Sequence, residues 1–344
     1  MTHSARAAGK PNRIGIIMMS AAGDAVHTLP VVNALKQNDP STHITWVLQP
    51  VPATLVRGHE NVDSIIEFER SRGARAYLDV QRALREATLD LVIDLQVYLK
   101  AGLVTALANA PIKLGFDRAR ARDANWLFTN RKIPAHPVQH VQDQYFEFLD
   151  YLGVPHAAPE WKLGPWPDER EWQTQWRAQF DRPLAALVIA TSKPEKDWLP
   201  ERWAAVCDAL YTDFGVQPVL VGGRSQCELD AEHIIMQRAS HKPHSALGSG
   251  LRKLVSILDA SSLVIAPDTG PLHMAVALDR PAISLLGYTN PKRTGPYRKF
   301  HDLMIDAYGD PGGQYAPSME NRPGRMQRIN VEDVLGKIQV WDER

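Results

Sequence analysis

Short apolar, β-branched runs alternate along the chain with longer stretches whose apolar residues recur every three or four positions, the pattern of strand-helix units that build a parallel sheet. Strands are predicted at Arg13–Met19, Ile44–Leu48, Ser64–Phe68, Leu91–Leu95 and Ile112–Phe116, with helices at Val26–Asn38, Gly73–Ala87, Lys100–Ala108 and Val141–Leu152. From Pro155 to Pro183 the rhythm breaks, and Pro and Trp crowd together (Pro155, Pro159, Trp161, Pro165, Trp166, Pro167, Trp172, Trp176), which predicts a linker and a lead-in helix. It resumes with strands at Leu184–Ala190, Pro218–Val221, Leu263–Ala266 and Ala282–Leu286 and helices at Glu201–Phe214, Ser225–Ala239, Leu251–Ala260 and Leu272–Leu278. Tyr308–Arg325, rich in Gly and Pro, reads as a long loop, and Asn330 with Asp333 three residues on caps a closing helix to Val340.

The expected fold is therefore α/β, two doubly wound parallel-sheet domains facing a cleft: residues 1–154, a linker and lead-in helix at 155–183, a second domain at 184–328 and a closing helix at 329–344. Ligands of open parallel sheets bind beyond the carboxyl ends of the strands, so function is sought in the loops after strands.

Composition narrows the class. With 344 residues, 44% of them hydrophobic and 23% charged, the chain buries a substantial core and disorder is excluded. Its 39 Lys and Arg balance 39 Asp and Glu, which argues against a nucleic-acid binder with a broad basic face. Cys207 and Cys227 are too few for a disulfide framework and lack zinc spacing, the usage of a reducing compartment. The opening run Met1 to Asn12 lacks the apolar stretch of a secretory signal and no long uncharged apolar run occurs, so the expected location is cytoplasmic, with any membrane contact made from the surface.

Three loops carry candidate chemistry. Ser20 to Pro30 follows the first strand; its Asp24 stands at a helix start, where the dipole favours an ionised carboxylate, as a helix cap or as a general base. Ala266 to His273 joins a strand end to a helix head: the amides, the Thr269 hydroxyl, the close approach allowed by Gly270 and His273 in the first turn suit a phosphate, while the same Asp268-Thr269-Gly270 could be a capped turn over a buried histidine. Thr191 to Lys196 offers hydroxyls and ammonium groups at the same sheet edge, either a second grip on a diphosphate or a solvated loop.

Charge is uneven despite the neutral total. Lys113 to Lys132 holds six cations (Lys113, Arg118, Arg120, Arg122, Arg131, Lys132) against Asp117 and Asp123, and Arg70, Arg72 and Arg75 form a smaller group. Such runs are solvated faces or, here, the place for an acidic acceptor or an anionic membrane surface. There is no Walker A sequence, no Gly-x-Gly-x-x-Gly after the first strand and no Asp-x-Asp, which removes the main support for an ATPase, a dinucleotide oxidoreductase or a metal-bridged diphosphate. His136 and His140 have helical metal spacing, but Pro134 and Pro137 place them in a loop.

Gly23 to Pro30, the segment Asp94-Leu95-Gln96 with Lys100, the run Gly115 to Arg122 and the turn Pro267 to His273 together resemble the lipopolysaccharide heptosyltransferases of glycosyltransferase family 9, most closely the heptosyltransferase I branch. The resemblance runs from about Arg13 to about Val340. It implies a GT-B fold, with the second domain holding the sugar nucleotide and the first the acceptor. It also implies inverting, metal-independent transfer of L-glycero-D-manno-heptose from ADP-heptose to the Kdo region of the lipopolysaccharide inner core, with no cofactor. Asp24 then becomes the general base and Lys100 a balancing charge near the reacting centre. Ser192, Lys196, Glu228, Asp268, Thr269, Gly270 and His273 contact the donor, while Arg70, Arg72, Arg118, Arg120 and Arg122 face Kdo-lipid A at the inner-membrane surface. Val97-Tyr98 replaces the family's usual Gly after Asp-Leu-Gln, and Tyr98 narrows the acceptor side. Two alternatives stay open: the same fold using another nucleotide sugar for another surface glycan, and a sugar-nucleotide-binding protein without turnover.

Overall fold

The computed structural model describes residues 11–344, so the polar opening run, Met1 to Asn12, lies outside the described residues except for its last two positions. Close contacts divide the chain into two compact units, the first comprising residues up to Pro137 and Gln142–Trp161, the second Val138–Val141 and Lys162–Arg344.

In the first unit β1 (Arg13–Ile17), β2 (His43–Leu48), β3 (Ser64–Glu67), β4 (Leu91–Asp94), β5 (Ile112–Gly115) and β6 (Arg131–Lys132) pair in parallel in the order β3-β2-β1-β4-β5-β6. The intervening helices are α1 (Ala22–Asn38), α2 (Pro50–Val56), α3 (Ala74–Ala87) and α4 (Leu99–Leu107), and α5 (Val141–Leu152) follows the sheet. The central strand β1 aligns Ile14 with Ile44 on one side and Leu91 on the other. Such near-continuous apolar runs are what a strand covered on both faces requires. Helix α3 buries Ala76, Val80 and Leu84, spaced four apart, against the face formed by Ile17, Val47 and Val92.

The second unit opens with α6 (Pro167–Arg177), and repeats the plan with β7 (Leu184–Val188), α7 (Pro200–Thr212), β8 (Gln217–Val221), α8 (Gln226–Arg238), β9 (His244–Ser245), α9 (Leu251–Ala260), β10 (Leu263–Pro267), α10 (Gly270–Ala277), β11 (Ala282–Leu286), α11 (Pro291–Thr294), β12 (Met304–Asp306) and α12 (Val331–Asp342). Its sheet order is β12-β11-β10-β7-β8-β9. Trp198 and Trp203 meet edge to face at 5.0 Å in its core, and Trp198 Nε1 donates to Ile329 O at 2.9 Å, tying the approach to α12 to the sheet. Each such buried aromatic contributes about 2–3 kcal/mol.

Both sheets run outward from one central strand and then restart on its other side. The switch points thus fall between β1 and β4 and between β7 and β10, where the first turns of the following helices stand at the carboxyl ends of neighbouring strands.

The expected elements form with shifts at the ends that count for the site. Helix α1 begins at Ala22 rather than Val26, because the Asp24 carboxylate accepts the Ala21 N–H at 2.9 Å and closes the first turn from within. It continues through Pro30 to Asn38, as expected, with Pro30 packed among buried neighbours. Helix α10 begins at Gly270, two residues before the expected Leu272. The elements α2, β6, β9, α11 and β12 were not predicted. Two of them, α2 and α11, start on a proline, which punctuates a chain but also suits the first helical turn.

Candidate functional site

At the switch point of the second unit, Asp268 follows β10 and is 7% exposed. Three donors converge on it: Lys196 Nζ reaches Oδ2 at 2.8 Å and the Asp268 carbonyl at 3.0 Å, the Thr289 hydroxyl donates to Oδ2 at 2.6 Å, and His273 Nε2 lies 3.4 Å from Oδ1. Burial pushes the carboxyl upward, but the His273 hydrogen bond and the Lys196 ammonium more than reverse it and hold the group far below the carboxylate range. Asp268 is thus an ionised anchor that fixes one ammonium and one imidazole at the head of α10. Thr269 occupies the N-cap but makes no side-chain cap; its hydroxyl turns back to Pro267 O at 3.2 Å. Proline at the helix start carries no N–H, which leaves the Gly270 and Leu272 amides as first-turn donors toward an anion.

The loop after β7 brings Lys196 to this point. Thr191 N donates to Asp197 Oδ1 at 2.7 Å, and the Thr191 hydroxyl accepts from Lys193 N at 3.0 Å. Ser192 stands exposed at the loop tip. After β8, Gly222 turns with a φ of 154°, and a Cβ there would fall 2.6 Å from Glu228 Oε1. Glu228 spends both oxygens on this turn, Oε1 accepting from Gly223 N at 2.5 Å and Oε2 from Ser225 N at 2.8 Å and its hydroxyl at 2.6 Å. Its observed work is to cap α8, and contact with a nucleotide would draw it out of those bonds.

At the switch point of the first unit, Asp24 is half-buried; besides the Ala21 N–H it faces the Tyr145 hydroxyl at 3.5 Å. Both readings of Asp24 remain compatible, since a carboxylate that caps one amide keeps lone pairs for another proton. The neighbouring loop after β4 is stitched to it: Gln96 accepts the Met19 N–H at 3.1 Å and donates to Ser20 O at 2.7 Å. Beneath lies Asp94, fully buried and held by Asn125 Nδ2 and Thr105 Oγ1 at 3.0 Å each and by Gln96 N at 3.1 Å. Burial dominates these neutral donors and pushes its carboxyl up to about 7. Lys100, in the first turn of α4, is partly buried; desolvation lowers its ammonium and the charge of Arg70 adds to the effect.

The basic residues separate. Arg70, Arg118 and Arg122 are exposed, Arg118 lying 4.5 Å over the Trp126 ring, while Arg72 pairs with Asp79 at 2.6 Å. Arg120 departs from the expected acceptor-facing role. Its guanidinium, 9% exposed, is taken up by Asp117, by Glu147 at 2.6 Å and by Pro134 O at 2.9 Å. It fastens the loop after β5 to α5, with each of its three nitrogens already bonded within the protein.

The family model described as glycosyltransferase family 9 (heptosyltransferase) matches residues 77–309. The chain belongs to glycosyltransferase family 9. It is 29% identical over 339 residues to the lipopolysaccharide core heptosyltransferase OpsX of Haemophilus influenzae, covering 95% of this chain and 96% of that one. It is likewise 29% identical over 299 residues to lipopolysaccharide heptosyltransferase 1 of Escherichia coli K12, covering 83% and 91%. Among solved structures, a family 9 glycosyl transferase from Veillonella parvula aligns with a TM-score of 0.81 at 22% identity over 96% and 97% of the two chains. The E. coli heptosyltransferase WaaC with ADP aligns at 0.75 and 24% over 96% and 99%. These likenesses establish the GT-B type of two-domain α/β fold, and the family makes the protein a glycosyltransferase.

Within this family 9 enzyme, Lys100, Lys196, Asp268 and His273 lie inside the matched residues, whereas Asp24 lies before them and is covered by the Haemophilus alignment over 95% of the chain. Sequence reasoning missed Thr289, the third donor on Asp268, although it follows β11 in a turn at the carboxyl edge beside β10. It also assigned no role to Gln96, the stitch between the two loops of the first switch point.

Proposed function

We propose that the protein transfers L-glycero-D-manno-heptose from ADP-heptose to a Kdo hydroxyl of the lipopolysaccharide inner core by a metal-independent, inverting displacement. The observation that carries this reading is the Lys196-Asp268-His273 cluster at the head of α10, in a chain alignable nearly end to end with a lipopolysaccharide core heptosyltransferase. In the reaction Asp24 takes the proton of the acceptor hydroxyl as its oxygen attacks C1 of the heptose. The C1–O bond to the diphosphate breaks on the opposite face, and its electron pair leaves with ADP. Lys196, His273 and the first-turn amides of α10 stabilise the charge growing on the departing diphosphate. Ser192 adds a hydroxyl to the diphosphate, Thr269 and Gly270 form the turn that admits it, and Lys100 balances charge at the acceptor. Arg70, Arg118 and Arg122, rather than Arg120, meet the anionic Kdo-lipid A.

Among the described residues no helix is long and apolar enough to cross a membrane. Because its proposed acceptor is Kdo-lipid A, the reading puts the enzyme on the cytoplasmic face of the inner membrane. The test is purified protein with ADP-heptose and Kdo-lipid A, followed by mass spectrometry. Gain of one heptose on the acceptor is expected. Turnover only with GDP- or UDP-sugars, or no transfer, overturns the assignment.

A further inference from the structure

Four exposed large apolar side chains lie together at the carboxyl edge of the first sheet, after the neighbouring strands β4 and β5. They are Tyr98 (48% exposed), Leu99 (42%), Leu103 (37%) and Leu127 (60%). Leu99 and Leu103 stand one turn apart on α4, on one helix face. Leu127 belongs to the short 3-10 turn Asn125–Phe128, which packs on that helix: Gly102 has no room for a Cβ beneath Phe128, and Asn125 Nδ2 donates to Tyr98 O at 3.0 Å. The other side of α4 packs Ala101, Val104 and Thr105 inward.

The rim of this patch is cationic. The loop carrying Arg118 and Arg122 is fixed beside Tyr98 by the Arg122 N–H on Val97 O at 2.7 Å, and Arg118 lies over Trp126, next to Leu127. Lys100 stands between Leu99 and Leu103 in sequence, within electrostatic reach of Arg70. Asp123 is the exposed acidic residue on this loop, while Asp117 is already neutralised by Arg120. Among the described residues Arg118 and Arg122 make no ion pair. Apolar side chains ringed by cations, with an aromatic at the border, match the boundary between acyl chains and anionic headgroups.

We propose that Tyr98, Leu99, Leu103 and Leu127 form the surface by which the protein docks onto an anionic phospholipid leaflet, with Arg70, Lys100, Arg118 and Arg122 as its electrostatic rim. This deepens the acceptor reading above, on which it rests for its purpose: a lipid-anchored acceptor would be met in the plane of the leaflet.

The experiment is co-sedimentation of the full chain with vesicles that contain no acceptor, either phosphatidylcholine alone or phosphatidylcholine mixed with phosphatidylglycerol. Binding to the anionic vesicles is expected to be roughly tenfold or more the stronger and to weaken with salt. The double variant Leu103→Ser/Leu127→Ser, and each single variant as a milder probe, should weaken it by about tenfold or more for the pair, with unchanged circular dichroism, melting midpoint and transfer to a soluble, delipidated Kdo acceptor. Equal binding to both vesicles, or a folded double variant that binds as wild type, overturns the proposal. So does a wild-type dimer in sedimentation velocity that the substitutions dissolve, without vesicle binding, since a second copy would then be the occupant. Vesicle binding without any heptose transfer would defeat the acceptor reading and leave the docking surface standing.

Discussion

The two sheets have the same order read from opposite edges, and in each the strand across the switch point ends at a buried aspartate, Asp94 at β4 and Asp268 just beyond β10. Their surroundings are opposite. Asp94 meets an amide, a hydroxyl and a backbone N–H, and burial prevails, raising its carboxyl to about 7. Asp268 meets an ammonium and an imidazole as well as a hydroxyl, and falls far below the usual carboxylate range. Equal burial therefore yields a group that gives up its charge near neutrality in one unit and a permanent anion in the other. The cations decide, because the neutral donors do not repay the desolvation of a carboxylate. Under the proposed function the anion serves to hold cations where a diphosphate departs, and the first unit, without such a cluster, keeps Asp24 for the proton.

The division of labour is broken most directly at Asp24. Asp24→Ala should lower kcat by about 10²–10⁴-fold, the usual contribution of a general base, while ADP-heptose still binds in calorimetry. Turnover near the wild-type rate would remove Asp24 from the chemistry. Lys196→Ala tests the other unit. It takes away the proposed diphosphate ligand and the ammonium paired with Asp268, so donor binding and kcat should both fall, kcat by roughly 10²-fold as for loss of one charge-stabilising donor. A change confined to acceptor KM would place Lys196 on the wrong substrate.

The aspartates themselves make opposite contributions to stability as pH changes. Asp94 has a folded value above its unfolded one, so between about pH 4 and pH 7 the folded protein holds a proton that the unfolded chain does not. Stability consequently falls as pH rises through that window, by up to about 4 kcal/mol for a shift from 3.8 to about 7. Asp94→Asn should abolish this slope. Urea midpoints of wild type and variant at pH 4.5 and pH 8 check it, and parallel profiles would show that Asp94 titrates normally.

Much of this was legible. Alternating apolar runs mark every central strand, and Pro267 to His273 announces itself because strand end, small turn and helix head are contiguous in sequence. The unread parts are those made by distant pairing. Whether a cation in Lys113 to Lys132 faces outward depends on Glu147, 27 residues from Arg120, and so Arg118 and Arg120 look alike in sequence but differ in the fold. Strands β6 and β9 are two residues long at sheet edges, too short to carry a period; the sheet beside them supplies their conformation. Thr289 is invisible for the same reason, 21 residues from the carboxylate it serves.

That hydroxyl offers the mildest probe of the comparison. Thr289→Val keeps the shape of the side chain and removes one of three donors on Asp268, leaving Lys196 and His273 in place. A hydrogen bond to a charged acceptor contributes about 1.5–3 kcal/mol, and the low end applies where an ammonium still satisfies the same oxygen. Asp268 has a depressed folded value, so its contribution is complete above about pH 4 and is lost as pH falls below that. With one donor fewer the folded value is less depressed and the contribution smaller. The variant should therefore be less stable than wild type at pH 7, and because the Asp268 carboxyl stays ionised in both folded proteins well below pH 4, the gap should persist at pH 4. Urea midpoints at pH 7 and pH 4 read this out. A variant as stable as wild type would mean that the hydroxyl adds nothing to the anion, and that Lys196 and His273 alone separate Asp268 from Asp94.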